Sequence, residues 1–198
     1  MGLPDTALPD TGTGEFQSPA PRNDDPEARA RQVCLRLLTL APRTQAQLAG
    51  ALKKRGIPDE VADAVLSRFT DVGLIDDAAF AKAWVESRHH GQGLSARALS
   101  AELRQRGVDD DQIQEAVDGL GADAEVETAK LLVAKRLAAT AGLPAQARIR
   151  RLAGMLARKG YPPGLAFRVI REALEADGDD VLPEVLPDEE LPVELPRS

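Results

Sequence analysis

Three times along this 198-residue chain the same short pattern returns, and no other feature constrains the fold as much. The first copy reads Leu48, Leu52, Arg55, Gly56 and Ile57, followed by Val61, Ala62, Val65, Leu66 and Phe69. The second reads Leu99, Leu103, Arg106, Gly107 and Val108, followed by Ile113, Ala116, Val117 and Leu120. The third reads Leu152, Leu156, Lys159, Gly160 and Tyr161, followed by Leu165, Ala166, Val169, Ile170 and Ala173. The offsets are 51 and 53 residues. A fixed period of this size marks a chain built from stacked copies of one supersecondary unit.

Each copy has a physical reading. Leu48 and Leu52 stand one helical turn apart and give an apolar stripe. Gly56 then sits where a helix ends in the left-handed conformation, and Ile57 would close back onto Leu52 in a Schellman ending. Val108 with Leu103, and Tyr161 with Leu156, repeat that pair. Pro58, Pro162 or the run Asp109-Asp110-Asp111 starts the next helix. The bases at 55, 106 and 159 fall in the last turn, where a cation favours the helix dipole. For each of them a structural and a functional role stay equally open.

A further helix precedes each corner. Val33, Cys34, Leu37, Leu38 and Ala41 share a face before Pro42, and Thr44 with Gln47 forms a capping box for the next helix. Asp76 or Asp77 caps a helix with Ala79, Phe80, Ala83 and Trp84 on one face, and Ser95 caps its successor. Residues 123–140 read as a long helix, broken by Gly142-Leu143-Pro144. The expected fold is therefore all-α: three tandem three-helix repeats stacked into an elongated body, its curvature left open. Few aromatics (3%) and few β-branched runs argue against a sandwich or barrel.

The expected units are 27–75, 76–127 and 128–175, flanked by tails 1–26 and 176–198. Both tails are acidic, with net charges of −4 and −7, rich in Pro and without helical period, and read as disordered. The units carry net charges of +3, −7 and +8, so the overall −7 hides a strongly basic third repeat. There Arg148, Arg150, Arg151, Arg158 and Lys159 crowd one helix, a pattern that suits a negatively charged or charge-alternating partner. Pairing of some of them with acidic unit two or with the acidic tail is the competing reading.

Chemistry-bearing motifs are scarce. The sequence has no G-x-S-x-G, no phosphate-cradling glycine loop and no H-E-x-x-H, so no enzyme and no catalytic residue is expected. His89-His90 lacks an acid or cysteine at ligand spacing, so no metal or other cofactor is expected. Phe80 and Trp84 read as core because they share a face with Ala83. Cys34, the only cysteine, reads as a small buried hydrophobe. With no basic leader at Met1 and no membrane-length apolar run, a cytoplasmic protein is expected.

The run Asp77, Phe80, Ala81, Trp84, Val85, Arg88, then Leu99, Glu102, Leu103, Arg106, Gly107, Val108, resembles the regulatory protein RecX family. Arg158-Lys159-Gly160-Tyr161 is similar to that family's final repeat, and the resemblance spans roughly residues 27–175. It implies tandem three-helix repeats that bind the RecA filament on DNA and inhibit its recombinase, ATPase and co-protease activities in DNA repair and the SOS response. The expected partners are the RecA filament and single- or double-stranded DNA met through the basic repeats, with no membrane, and the chain is expected to be a monomer. Arg104, Arg106, Arg148, Arg150, Arg151, Arg158 and Lys159 are the expected contacts. The acidic, proline-rich C-terminal tail is no part of the family pattern. The alternative is a direct helical DNA binder, disfavoured by acidic unit two and by the lack of a helix carrying base-reading Arg, Asn and Gln.

Overall fold

The structure, a computed structural model, describes residues 25–178; the segments read as disordered lie outside the described residues except at their inner ends. Among the described residues there are nine α-helices and no strands. The first unit is α1 (Pro26–Leu40), α2 (Gln45–Lys53) and α3 (Asp59–Asp71). The second is α4 (Asp77–Gln92), α5 (Ala96–Gln105) and α6 (Asp110–Asp118). The third is α7 (Ala122–Leu137), α8 (Ala145–Arg158) and α9 (Pro163–Ala176), with one turn of 3₁₀ helix at Ala138–Thr140. No described helix is long and apolar enough to cross a membrane.

The helix boundaries follow from local chemistry. Asp25 accepts from the Glu27 N–H and Pro26 opens α1. Thr44 and Gln47 complete the capping box of α2. Asp76, rather than Asp77, caps α4 by accepting from Ala79, while Ser95 and Asp109 cap α5 and α6. All three glycine corners are Schellman endings. Ile57 donates to Leu52 O, Val108 to Leu103 O and Tyr161 to Leu156 O at 3.1–3.2 Å.

Each unit buries its own core. Cys34, Leu48, Leu52, Leu66 and Phe69 fill the first; Val85, Leu99, Leu103 and Ile113 the second; Val133, Leu152, Leu156, Ile170 and Leu174 the third. One expected boundary fails. Residue 127 lies inside α7, because left-handed Gly121 (φ 75°) ends the preceding segment and the helix starts at Ala122. Asp123, Glu125 and Glu127 therefore belong to the third unit, and its charge contrast with the second softens to +5 against −4. Two of these acids, Asp123 and Glu125, lie in the first turn of α7, where they favour the helix dipole.

The units meet end to end by one device used twice. The N-cap of a middle helix receives the glycine corner of the next unit. Thr44 Oγ donates to Arg106 O at 2.6 Å, and the Ser95 N–H donates to Lys159 O at 2.9 Å. Both N-caps are fully buried there. Gln45 N–H adds a bond to the Asp77 carboxylate at 2.9 Å. Burial lifts the Asp77 carboxyl above its ordinary range, the Gln45 bond partly offsets this, and the neighbouring charge of Asp76 adds to the rise.

The second junction is denser. The Tyr161 hydroxyl donates to Gly93 O (3.2 Å), and the Ala96 N–H donates to Glu125 (3.1 Å). Buried His89 bridges the two units. Its Nδ1 lies 2.9 Å from Leu94 O and its Nε2 2.7 Å from Thr128 Oγ. A carbonyl can only accept, so in the neutral ring Nδ1 carries the proton and Nε2 accepts from Thr128. His89 is thus a pin between units.

Candidate functional site

The expected contact residues do not form one surface. Arg148 is the clearest departure: it is 4% exposed, its Nη2 sits 2.6 Å from Asp177 Oδ2, and its Nε donates to Thr140 Oγ at 3.4 Å. A guanidinium held this way inside the third unit cannot meet a partner, so Arg148 leaves the contact set. The cause is the 3₁₀ turn, which places Thr140 against α8, together with the first acid after α9. Lys159 is only partly exposed and reaches across the second junction to Gln92 O. Arg104 is exposed and pairs with Asp110 at 2.8 Å, a contact of little energetic weight.

Arg150, Arg151 and Arg158 do come together. With Arg136, Thr140 and Met155 they line a cleft of about 600 Å³ on the outside of the third unit. No described acid lies within ion-pair range of these four arginines. Arg136, in the last turn of α7, was missed by sequence reasoning. Its signal was a base near the end of a long helical run, six residues before the break at Gly142.

Arg106 belongs to a second cluster. Its guanidinium carbon lies 3.8 Å from the centre of the Trp84 ring, with Arg88 at 4.5 Å from the same ring. The Trp84 Nε1 donates to Glu102 at 2.8 Å, and Phe80 stacks on the indole with centroids 5.7 Å apart. The side chains that α4 buries in the core are instead Ala81, Val85 and His89. Phe80 and Trp84 are only partly buried and, with Leu38, Pro42, Arg43 and Leu74, line a groove of about 530 Å³ at the first junction. The expectation that this aromatic pair is core holds in part: both rings pack against the second unit's core and also line this groove. Arg43, Arg88 and Arg106 each keep a buried Nε without a hydrogen bond, although Arg88 Nε stands 3.4 Å from Glu102. Cations over an indole, with one shared carboxylate, hold this cluster rigid.

The three equivalent bases thus have three fates. Arg55 returns to the carbonyl of Ala51 at 2.9 Å, Arg106 stacks on Trp84, and Lys159 crosses to the neighbouring unit. Repetition fixed their backbone position and left their partners to the surroundings.

Fold and surface together define a class: a protein whose described residues form an all-helical tandem repeat, with an arginine-lined face on its third unit. Comparison with known proteins narrows that class. Family models described as the first, second and third three-helix domains of RecX match residues 30–69, 76–117 and 123–170. The chain is 59% identical over 179 residues to the regulatory protein RecX of Thermobifida fusca, covering 90% of this chain and 96% of that one. It is 61% identical over 156 residues to the one from Streptomyces lividans, covering 79% and 83%. The crystal structure of RecX from Lactobacillus salivarius shares the fold at 18% identity, with a TM-score of 0.69 over 75% of this chain and 96% of that one. The chain belongs to the RecX family.

Proposed function

We propose that this chain is a regulator of RecA: it binds the RecA filament on DNA and inhibits its ATPase, recombinase and co-protease activities. Membership of the RecX family, with all three domains present in order, is the observation that carries the reading. Three units stacked with a fixed polarity give an elongated body suited to span several filament subunits. Arg136, Arg150, Arg151 and Arg158 supply a positive face with no described counter-charge, matched to acidic protein surface or to phosphate. Such a body would occlude duplex DNA and repressor from the filament, or stop subunit addition at its end.

The test is the single-stranded-DNA-dependent ATPase of the cognate RecA, titrated with this chain. Inhibition well below one molecule per RecA supports action at filament ends, and inhibition near one-to-one supports occlusion. Charge reversal of Arg150, Arg151 and Arg158 to Glu weakens either effect at unchanged far-UV helicity. Absence of inhibition, with tight and steeply salt-dependent binding to naked DNA, overturns this reading in favour of a direct DNA binder.

A further inference from the structure

The four arginines of the third unit pose a problem that the chain itself can solve. Like charges gathered around one cleft repel, and no described acid answers them. The chain leaves the structure beside this cleft. Asp177, directly after α9, is held by Arg148; Arg148 is bonded to Thr140; and Thr140 lines the arginine cleft. Beyond Gly178 the sequence continues for 20 residues, with seven acids (Asp179, Asp180, Glu184, Asp188, Glu189, Glu190 and Glu194) against Arg197 alone. Leu182, Leu186, Leu191 and Leu195 each precede a proline, so acids alternate with Leu-Pro pairs along the segment.

We propose that residues 179–198 dock in the arginine cleft of their own chain and compete there with other polyanions. Charge complementarity selects this occupant over an apolar one, and tethering favours the contact at low ionic strength. A 20-residue chain has a root-mean-square reach of about 25 Å as a coil, and about 60 Å when extended, and it is attached two residues after Asp177, which Arg148 links to Thr140 of the cleft. Attachment at such short range holds the acids near the cleft at an effective concentration of about a millimolar. Exposed arginine–carboxylate pairs are individually weak, so the docked state is salt-sensitive and readily displaced by a phosphate polymer of higher charge density. The docking itself is independent of what the third unit regulates. Its consequence for activity rests on the filament reading above.

The test uses the full chain without RecA or nucleotide. A nitroxide is attached through Leu191→Cys, which keeps all seven acids, while fully buried Cys34 stays out of reach of the reagent. The expected result at low salt is paramagnetic broadening of the amides of α8 around Arg150, Arg151 and Arg158. High salt abolishes it, as does the full chain carrying Arg150→Gln, Arg151→Gln and Arg158→Gln, a milder change than charge reversal. Broadening absent from α8, centred on Phe80 and Trp84 instead, or growing with protein concentration overturns the proposal. In a second measurement, the full chain with Glu184→Gln, Asp188→Asn, Glu189→Gln, Glu190→Gln and Glu194→Gln binds oligo(dT) about tenfold tighter than the parent, as expected when a tethered competitor is removed. Unchanged affinity overturns the competition. Loss of RecA inhibition alone leaves both readouts untouched, so the two readings fail separately.

Discussion

A methyl group added at each of two equivalent corners separates what the helix ending demands from what the stack demands. Gly56 and Gly107 hold nearly the same conformation, φ 70° and 75°, at the same place in the repeat. A Cβ at Gly56 meets nothing within 4 Å, so Gly56→Ala carries only the left-handed backbone cost, about 1 kcal/mol. A Cβ at Gly107 falls far inside contact distance of the Ala46 Cβ, across the junction with the first unit. Gly107→Ala therefore adds an overpacking cost of about 1–3 kcal/mol, for a total of about 2–4 kcal/mol. Urea unfolding of the full chain, followed by far-UV circular dichroism, reads the difference.

The origin of the excess is checked by Ala46→Gly. Ala46 lies in the first turn of α2 and is exposed apart from the junction, so the single change costs about 0.5–1 kcal/mol in helix propensity. In the double variant the offending methyl has lost its neighbour, and the cycle should show a favourable coupling of about 1–2 kcal/mol. Equal costs for Gly56→Ala and Gly107→Ala, or zero coupling in the cycle, would refute the claim that the junction excludes a side chain at this corner.

Two further perturbations follow from buried polar groups. Tyr161, the chain's one tyrosine, has its hydroxyl pushed up to about 12, mainly by burial and secondarily by Glu125, so its neutral form is favoured in the fold. The stability this contributes is complete below about pH 10 and falls by about 2 kcal/mol as pH rises towards 12; tyrosinate absorbance should appear only near 12, and Tyr161→Phe should remove that part of the pH dependence. Normal titration near 10 in the folded chain would sink this assignment. For Arg106, a cycle of Arg106→Met with Trp84→Leu should give a coupling of about 0.5–1 kcal/mol, and additivity would mean that the 3.8 Å stacking contributes nothing.

Local chemistry is why so much of the fold is legible in the sequence. Thr44-Gln47, Ser95 and Asp109 state where helices start, and the glycine corners state where they stop, because caps act within four residues. What escapes is anything decided by a distant neighbour. Arg148 looks like its neighbours Arg150 and Arg151 until Thr140 and Asp177 close around it. Phe80 and Trp84 have the spacing of a core stripe, yet Ala81 and Val85 take the core, and the aromatics are left to a groove that exists only once the first unit is in place. The boundary near 127 fails for a smaller reason: Gly121 ends the preceding segment, and α7 starts directly after it.

The junction chemistry also explains the polarity of the stack. To add a unit, a middle helix must offer its N-cap to the next corner, through a hydroxyl as in Thr44 or a backbone N–H as in Ser95. The middle helix of the third unit begins at Pro144, which has neither donor. A fourth corner docked there would bury the carbonyl before its glycine without a partner, a cost of about 1–3 kcal/mol that the other two junctions avoid. At the opposite end, the Gly56 corner stands open among the described residues, with its last-turn base folded back on Ala51. The third unit thus offers no N-cap donor to a further corner of the same design.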